Sequence, residues 1–196
     1  AAFEETCSCD LKFKTGDVLP RIILEGQRTE ADVVIGLNTD ITKKARETGL
    51  FEPHRQDNTK LTIPIDWTDD VFLPFNYSHT AFIYNTKKVT NPPISFDALV
   101  NSNSDLSLVI QDPRSSISGL ALVLWVKAVY GDKAEKVWEK LAPKILTVTK
   151  GWSESYELFS AGEADIVLSY TTSPSNVVCI PCTSSVPQLS TCLMLN

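Results

Sequence analysis

Short apolar runs alternate with capped, amphipathic segments along this chain. Val18 to Glu25 repeats its apolar positions at helical spacing and stops at Gly26, which predicts a helix. Ala31 to Leu37 is a short apolar run of the buried-strand type. Asn38-Thr39-Asp40 then leads into a helix, with Asp40 as the expected N-cap and Gly49 just past its end. Strand, tight loop and capped helix form a βα unit and predict a parallel sheet. Residues 52 to 70 are polar and irregular. Val71 to Phe75 and Ala81 to Tyr84 read as two strands around a turn at Asn76-Tyr77-Ser78, and Asn91-Pro92-Pro93 breaks the chain before a short helix capped by Ser95.

The same alternation continues through the second half. Ser107 to Ile110 is a strand ending at the Asp112-Pro113 turn, and Ser116 or Ser118 can cap the apolar helix from Leu120 to Tyr130 that Gly131 ends. Asp132 is the expected cap of the next helix, with Glu135 at capping-box spacing and Ala134, Val137, Trp138 and Leu141 on one face. Ile145 to Val148 predicts a strand, Ser153 to Ala161 a helix closed by Gly162, and Asp165 to Ser169 a last strand. There is no internal repeat. Beyond Asn176 the character changes: residues 177 to 196 carry no charge but hold three of the five Cys. This segment is expected to be an atypical, out-of-frame or truncated tail that does not supply the last strand with neighbours.

Composition narrows the function classes. A hydrophobic share of 43% over 196 residues predicts a globular fold with one core or two small lobes. The net charge of −6 argues against nucleic acid as a partner, which needs a basic stripe. No run of 18 apolar residues exists to span a membrane as a helix. Five Cys leave at least one unpaired within the chain; Cys7 and Cys9 are one residue apart. The CxxC at Cys179 and Cys182 has no helix pattern behind it, and Cys192 makes three sulfurs without a fourth ligand, so neither redox chemistry nor zinc is expected. His54 and His79 have no carboxylate or Cys at ligand spacing. P-loop, GxGxxG, GxSxG and HExxH motifs are absent. No catalytic residue, metal site or cofactor is therefore expected.

Three junctions carry the candidate chemistry: 111–119, 150–156 and 168–174. In each, a strand or helix gives way to the next element amid hydroxyls, a Pro or Gly turn, or an aromatic ring, which is where open α/β sheets bind ligands. At 111–119 a helix N-terminus with Ser115, Ser116 and Ser118 can dock an anionic or hydroxyl-bearing group. Alternatively the serines only cap the helix and Arg114 is a surface charge. Trp152 precedes a helix whose inward face Tyr156 and Phe159 already supply, so its ring is placed at the helix mouth. Tyr170 closes an apolar strand. Either ring can be a packing residue with a wet polar edge. Together they offer the faces a cationic heteroaromatic ligand needs.

At this point a family resemblance enters. The strings QDPRSS.SGLAL.LW (111–125), YGD....VW.KLA (130–142) and TVTKGWSESY.LF..GEADIVLSYTTSP (147–174), with FE..C.C.LK, ADVVIGL, TGLF and FLPF.Y..TAF.Y upstream, resemble the thiamine-binding members of the type II periplasmic solute-binding proteins, up to about Ser175. The resemblance implies an α/β, type II periplasmic-binding-protein fold of two lobes with hinge strands, incomplete at both ends. The expected division is a partial lobe one with the first hinge strand over 1–77, lobe two over 78–176, and the tail over 177–196. It implies a periplasmic solute-binding component of an ABC importer. That component is a monomer, takes thiamine, thiamine phosphate or thiamine diphosphate, passes it to the membrane permease, and performs no catalysis. Trp152 and Tyr170 match aromatic pocket positions, and Ser116 a polar one. Asn38 stands where relatives carry an Asp, and Asn176 where they carry a second pocket Tyr. The alternative on the same fold is a thiaminase-like transferase, which needs a nucleophilic Cys in the cleft; none occurs between residues 10 and 178. Iron binding, the third reading, needs clustered Tyr and His ligands that this chain lacks.

Overall fold

The computed structural model describes residues 2–16, 18–103 and 105–173 in full, and the backbone alone of 178–180 and 187–194. Its elements are α1 (Ala2–Cys7), α2 (Val18–Glu25), β1 (Val33–Asn38), α3 (Thr39–Arg46), β2 (Leu73–Tyr84), α4 (Phe96–Asn101) and β3 (Leu108–Gln111). They continue as α5 (Ile117–Tyr130), α6 (Ala134–Leu141), β4 (Ile145–Thr149), α7 (Trp152–Ser160), β5 (Ile166–Tyr170), β6 (Val178–Ile180) and β7 (Pro187–Met194). The chain forms two compact units, Ala1–Asn76 with Ser190–Asn196, and Tyr77–Leu189.

In the first unit, α2 turns Leu19 and Ile22 onto Val34 and Leu37 of β1, and Ala45, Leu50, Val71 and Phe72 complete that core. β1 pairs antiparallel with β7, Val34 opposite Leu193 and Asn38 opposite Ser190. The chargeless tail thus contributes a ladder partner to β1. His54 is buried and structural: its Nδ1 accepts from the Gln56 amide at 2.9 Å, which leaves Nε2 to donate to the Asp69 carbonyl at 3.2 Å. Asp69 ties the loop before β2. Its Oδ1 accepts from the amides of Val71 and Phe72 at 2.8 and 2.9 Å, and its Oδ2 from Arg46 at 2.6 Å.

Partial burial opposes the charge on Asp69, but the amide bonds from Phe72 and Val71 and the Arg46 guanidinium outweigh it and hold the carboxyl below its ordinary value. A depressed folded pKa stabilises above the unfolded value and is lost as pH falls through the folded one. Asp69→Asn is therefore expected to cost about 1–2 kcal/mol at pH 7. Urea melts over a series of falling pH check this: the gap between variant and wild type should be full at pH 7 and narrow only as pH falls below the ordinary carboxylate range toward the depressed folded value.

The second unit is a sheet in which β2 pairs antiparallel with both β5 and β6, while β3 lies parallel to β5 and to β4. The connection from β3 to β4 and the one from β4 back to β5 run in opposite directions across the sheet. A right-handed crossover then puts their helices on opposite faces. Accordingly α5 and α6 cover one face, over Phe82, Leu108, Ile110, Ile166 and Leu168, and α7 covers the other, with Phe159 over Ala81, Ile83 and Val167. The first of these layers is centred on Phe96, stacked on Phe82 at 5.4 Å and packed on Trp125 at 4.8 Å.

Three local expectations are corrected. Residues 73–84 are one strand rather than two around a turn; Asn76, Tyr77 and Ser78 have turn-like side chains, but Tyr77 and its neighbour Phe75 are exposed and nothing in their packing forces the chain to reverse. Asn38, not Asp40, occupies the N-cap position of α3. Asp132 caps nothing: a 3₁₀ turn at Gly131–Lys133 leads straight into α6, and Asp132 lies 3.7 Å from Lys127 instead. The last strand, β5, has both its neighbours, β2 and β3, from earlier in the chain. Cys7 and Cys9 form a disulfide.

Candidate functional site

The carboxyl ends of β3, β4 and β5 share one edge of the second unit's sheet. β3 sits where the connections diverge, the position at which open α/β sheets leave a crevice. Three of the four expected ligand residues come from this crest. Ser116 takes the N-cap position of α5, but its side chain does not cap the helix; its Oγ lies 3.0 Å from Ser118 Oγ. Trp152 opens α7, after Gly151 at the N-cap, where Glu154 Oε2 accepts from the amides of Lys150 and Gly151 at 3.0 and 3.4 Å. Tyr170 is the last residue of β5 and is half-buried.

Strand alternation brings Trp152 and Tyr170 to the crest from opposite sides. Successive residues of β5 face opposite ways, so Leu168 and Tyr170 look toward α5 while Val167 and Ser169 look toward α7. Ser169 is fully buried, and its Oγ accepts the Trp152 indole Nε1–H at 2.8 Å. Tyr170 lies on the other side, toward Ser118, whose hydroxyl acts to lower the phenol pKa. The indole is thereby tied to the strand neighbour of Tyr170. Among the described residues, the ring that stacks on Trp152 is Tyr156, at 4.8 Å and 22°; it backs one face of an indole that keeps 36% of its surface open. Burial raises the Tyr170 phenol pKa, with the Ser118 hydroxyl pulling the other way, so the group is neutral at physiological pH.

Beneath the crest lies a polar layer of which the sequence singled out only Ser115 and Ser118. Gln111, 1% exposed, donates Nε2 to the Leu168 carbonyl at 3.0 Å and accepts from Ser118 Oγ at 2.7 Å. Thr149 Oγ1 lies 2.5 Å from Ser155 Oγ, and Ser115 donates to the Lys150 carbonyl at 2.7 Å, joining the loops after β3 and β4. Thr80 faces Tyr170 across the β2–β5 ladder with a buried hydroxyl that has no hydrogen-bond partner among the described residues. The available signal was a Gln and a Ser ending otherwise apolar strands, where buried polar groups need partners. Arg114 is paired on its own loop: its guanidinium donates to both Asp112 oxygens at 2.5 to 3.1 Å and pulls that carboxyl down to about 2.

The fourth residue, Asn38, belongs to the first unit. It ends β1 almost fully buried; its Nδ2 donates to Asp40 Oδ2 at 2.8 Å, and its Oδ1 has no partner among the described residues. Desolvation raises the Asp40 carboxyl pKa, partly offset by that bond. Asn176 lies outside the described residues. So do the side chains of Cys179, Cys182 and Cys192. Among the described residues, no three His, Cys, Asp or Glu groups converge on a metal-sized site, and no helix is long and apolar enough to cross a membrane. A surface hollow of about 510 Å³ lined by Asn103, Leu106, Lys144 and Leu146 lies at the opposite, amino-terminal ends of β3 and β4; it is remote from the crest.

An α/β sheet with helices on both faces and an aromatic, hydroxyl-bearing crest at its parallel strand ends has the form of a ligand-binding unit. The chain belongs to the bacterial extracellular solute-binding protein family, whose profile matches residues 2–178. It is 46% identical over 178 residues to the thiamine-binding periplasmic protein of Escherichia coli, covering 89% of this chain and 54% of that one. It is 45% identical over 177 residues to the protein of the same name from Brucella abortus, covering 88% and 53%. A solved periplasmic thiamin binding protein superposes with a TM-score of 0.94 at 40% identity, over 99% of this chain and 65% of that one. The fold is that of the type II periplasmic binding proteins. The chain spans about half the length of the curated relatives it matches.

Proposed function

We propose that the protein is the periplasmic solute-binding component of an ABC importer that captures thiamine and its mono- and diphosphate and delivers them to the membrane permease. The observation that carries this reading is the pair of rings at one sheet edge: Trp152, held by Ser169, and Tyr170, the next residue of β5, with the hydroxyls of Ser116 and Ser118 at the same edge. Thiamine is a flat cation with a hydroxyl tail. Aromatic faces attract such a cation by about 0.5–2 kcal/mol per contact, and the hydroxyls suit its polar end. Relatives 45–46% identical to this chain carry thiamine binding in their names. Binding and release involve no catalytic step and no cofactor, and one monomer suffices. The Cys7–Cys9 disulfide suits an oxidising compartment such as the periplasm, and it leaves neither sulfur free to act as the thiolate that a thiaminase-like mechanism requires. Isothermal titration with thiamine is expected to give saturable heat at micromolar ligand; no heat at millimolar thiamine sinks the reading.

A further inference from the structure

The Cys7–Cys9 disulfide closes a loop with a single residue between its ends, and Cys7, Ser8 and Cys9 are all exposed. Such a bond does little for the fold. The chain entropy that a cross-link removes from the unfolded state grows with the length of the closed loop, and here that length is near its minimum. Nor does the bond fasten a core element: α1, which ends at Cys7, contributes no buried residue.

Two features favour the open, dithiol form. Ser8, inside the loop, has a φ of 54°, in the left-handed region that is costly for any residue with a side chain. Opening the bond frees Ser8 to leave it. Cys7 Sγ lies 3.8 Å from the Glu4 carbonyl oxygen, placed to donate. A disulfide sulfur has no proton to give, so only a Cys7 thiol completes that hydrogen bond. A third feature keeps the sulfurs close once they part. The Glu4 carboxylate accepts from the Leu11 amide at 3.2 Å, which holds the chain beyond Cys9 back beside α1 and lets the pair reclose. Exposed disulfides with a strained closed form are the ones that exchange with thiols, whereas relaxed structural ones resist reduction.

We propose that Cys7–Cys9 is a thiol–disulfide exchange site that hands its bond to an accessible dithiol. One thiolate of the dithiol attacks a sulfur of the pair. The Cys7–Cys9 bond breaks, a mixed disulfide forms, and the other sulfur leaves as a thiolate and takes up a proton. The second thiolate of the dithiol then attacks the mixed disulfide and releases the remaining Cys, which is protonated in turn. The dithiol is oxidised to its disulfide, and Cys7 and Cys9 gain its two electrons and two protons. This chemistry is separate from the ligand-binding crest and does not depend on the thiamine reading.

The test equilibrates the full chain in glutathione buffers of stepped reducing strength, two glutathione molecules standing in for the dithiol, then quenches with acid and alkylates. Trypsin releases residues 1–12 as a peptide holding Cys7 and Cys9 and no other Cys, so its mass reports this pair alone. A buffer as reducing as the cytosol leaves the structural disulfides of secreted proteins closed; here the pair is expected to be mostly reduced. Ser8→Gly removes the cost of the left-handed backbone, so its pair should need about a threefold higher ratio of squared reduced to oxidised glutathione to open. The double variant Cys7→Ser/Cys9→Ser cannot form the bond and should keep the wild-type urea midpoint. The inference is overturned if the wild-type pair stays oxidised in the cytosol-like buffer, or if the Ser8→Gly pair opens as readily as wild type. A lowered urea midpoint in the double variant overturns it too, by making the bond a structural cross-link.

Discussion

Trp152→Ala is expected to weaken thiamine binding about a hundredfold while changing the melting temperature little. The loss combines a cation–π contact of about 0.5–2 kcal/mol with the removal of roughly 100 Å² of ring face at about 25 cal/mol per Å². The indole is held for this purpose: Ser169 fixes its edge and Tyr156 backs one face, so the open face is presented without further ordering of the side chain. Stability should change by no more than about 1 kcal/mol, because the ring is over a third exposed and sits at a helix start rather than in a core. Trp152→Phe keeps a ring but not the Nε1–H to Ser169, and should lose roughly tenfold. Titration of the three proteins beside their thermal melts checks the set. Unchanged affinity in Trp152→Ala would remove the indole from the binding surface.

Gly119→Ala should have the largest effect on stability. A Cβ there would lie 2.4 Å from the Gln111 carbonyl oxygen, 2.8 Å from its carbon and 2.9 Å from the Asp112 carbonyl carbon. All three are backbone atoms, so no side chain can swing aside; the start of α5 must lift from β3. The expected cost is about 3 kcal/mol, at the upper end of ordinary overpacking. Ser116 and Ser118 ride on the same turn, so ligand affinity should fall as well. Gly151→Ala is the matched control: it too opens a helix at the crest, its Cβ meets nothing within 4 Å, and it should stay within about 0.5 kcal/mol. Urea midpoints at unchanged m-value separate the two. A wild-type midpoint for Gly119→Ala would mean that α5 does not approach β3 as closely as described.

Much of the second unit was legible from local signals. Ser95 accepts from the Ala98 amide as a cap should, Gly131 ends α5 in the left-handed region at φ 53°, and Val137 and Leu141 turn the expected face of α6 into the core. These readings succeeded because caps, terminators and helical period are properties of a few neighbouring residues. The misreadings at β2 and at Asp132 have the opposite cause. Asn76-Tyr77-Ser78 has the composition of a turn and Asp132 that of a cap, but ladder pairing from Thr80 onward and a 3₁₀ entry into α6 overrode those preferences.

At the crest the division is sharper. The order of residues alone determined that Ser116, Trp152 and Tyr170 stand at strand–helix junctions of an α/β chain, because a junction is a feature of sequence neighbours. Only the tertiary structure decided that β5 lies beside β3, and hence that Gln111, which accepts from the Ser118 hydroxyl, is anchored on the Leu168 carbonyl 57 residues further along the chain. Hydrogen bonds between residues far apart in sequence are set by which strands adjoin and which face each side chain takes, and neither can be read from spacing along the chain.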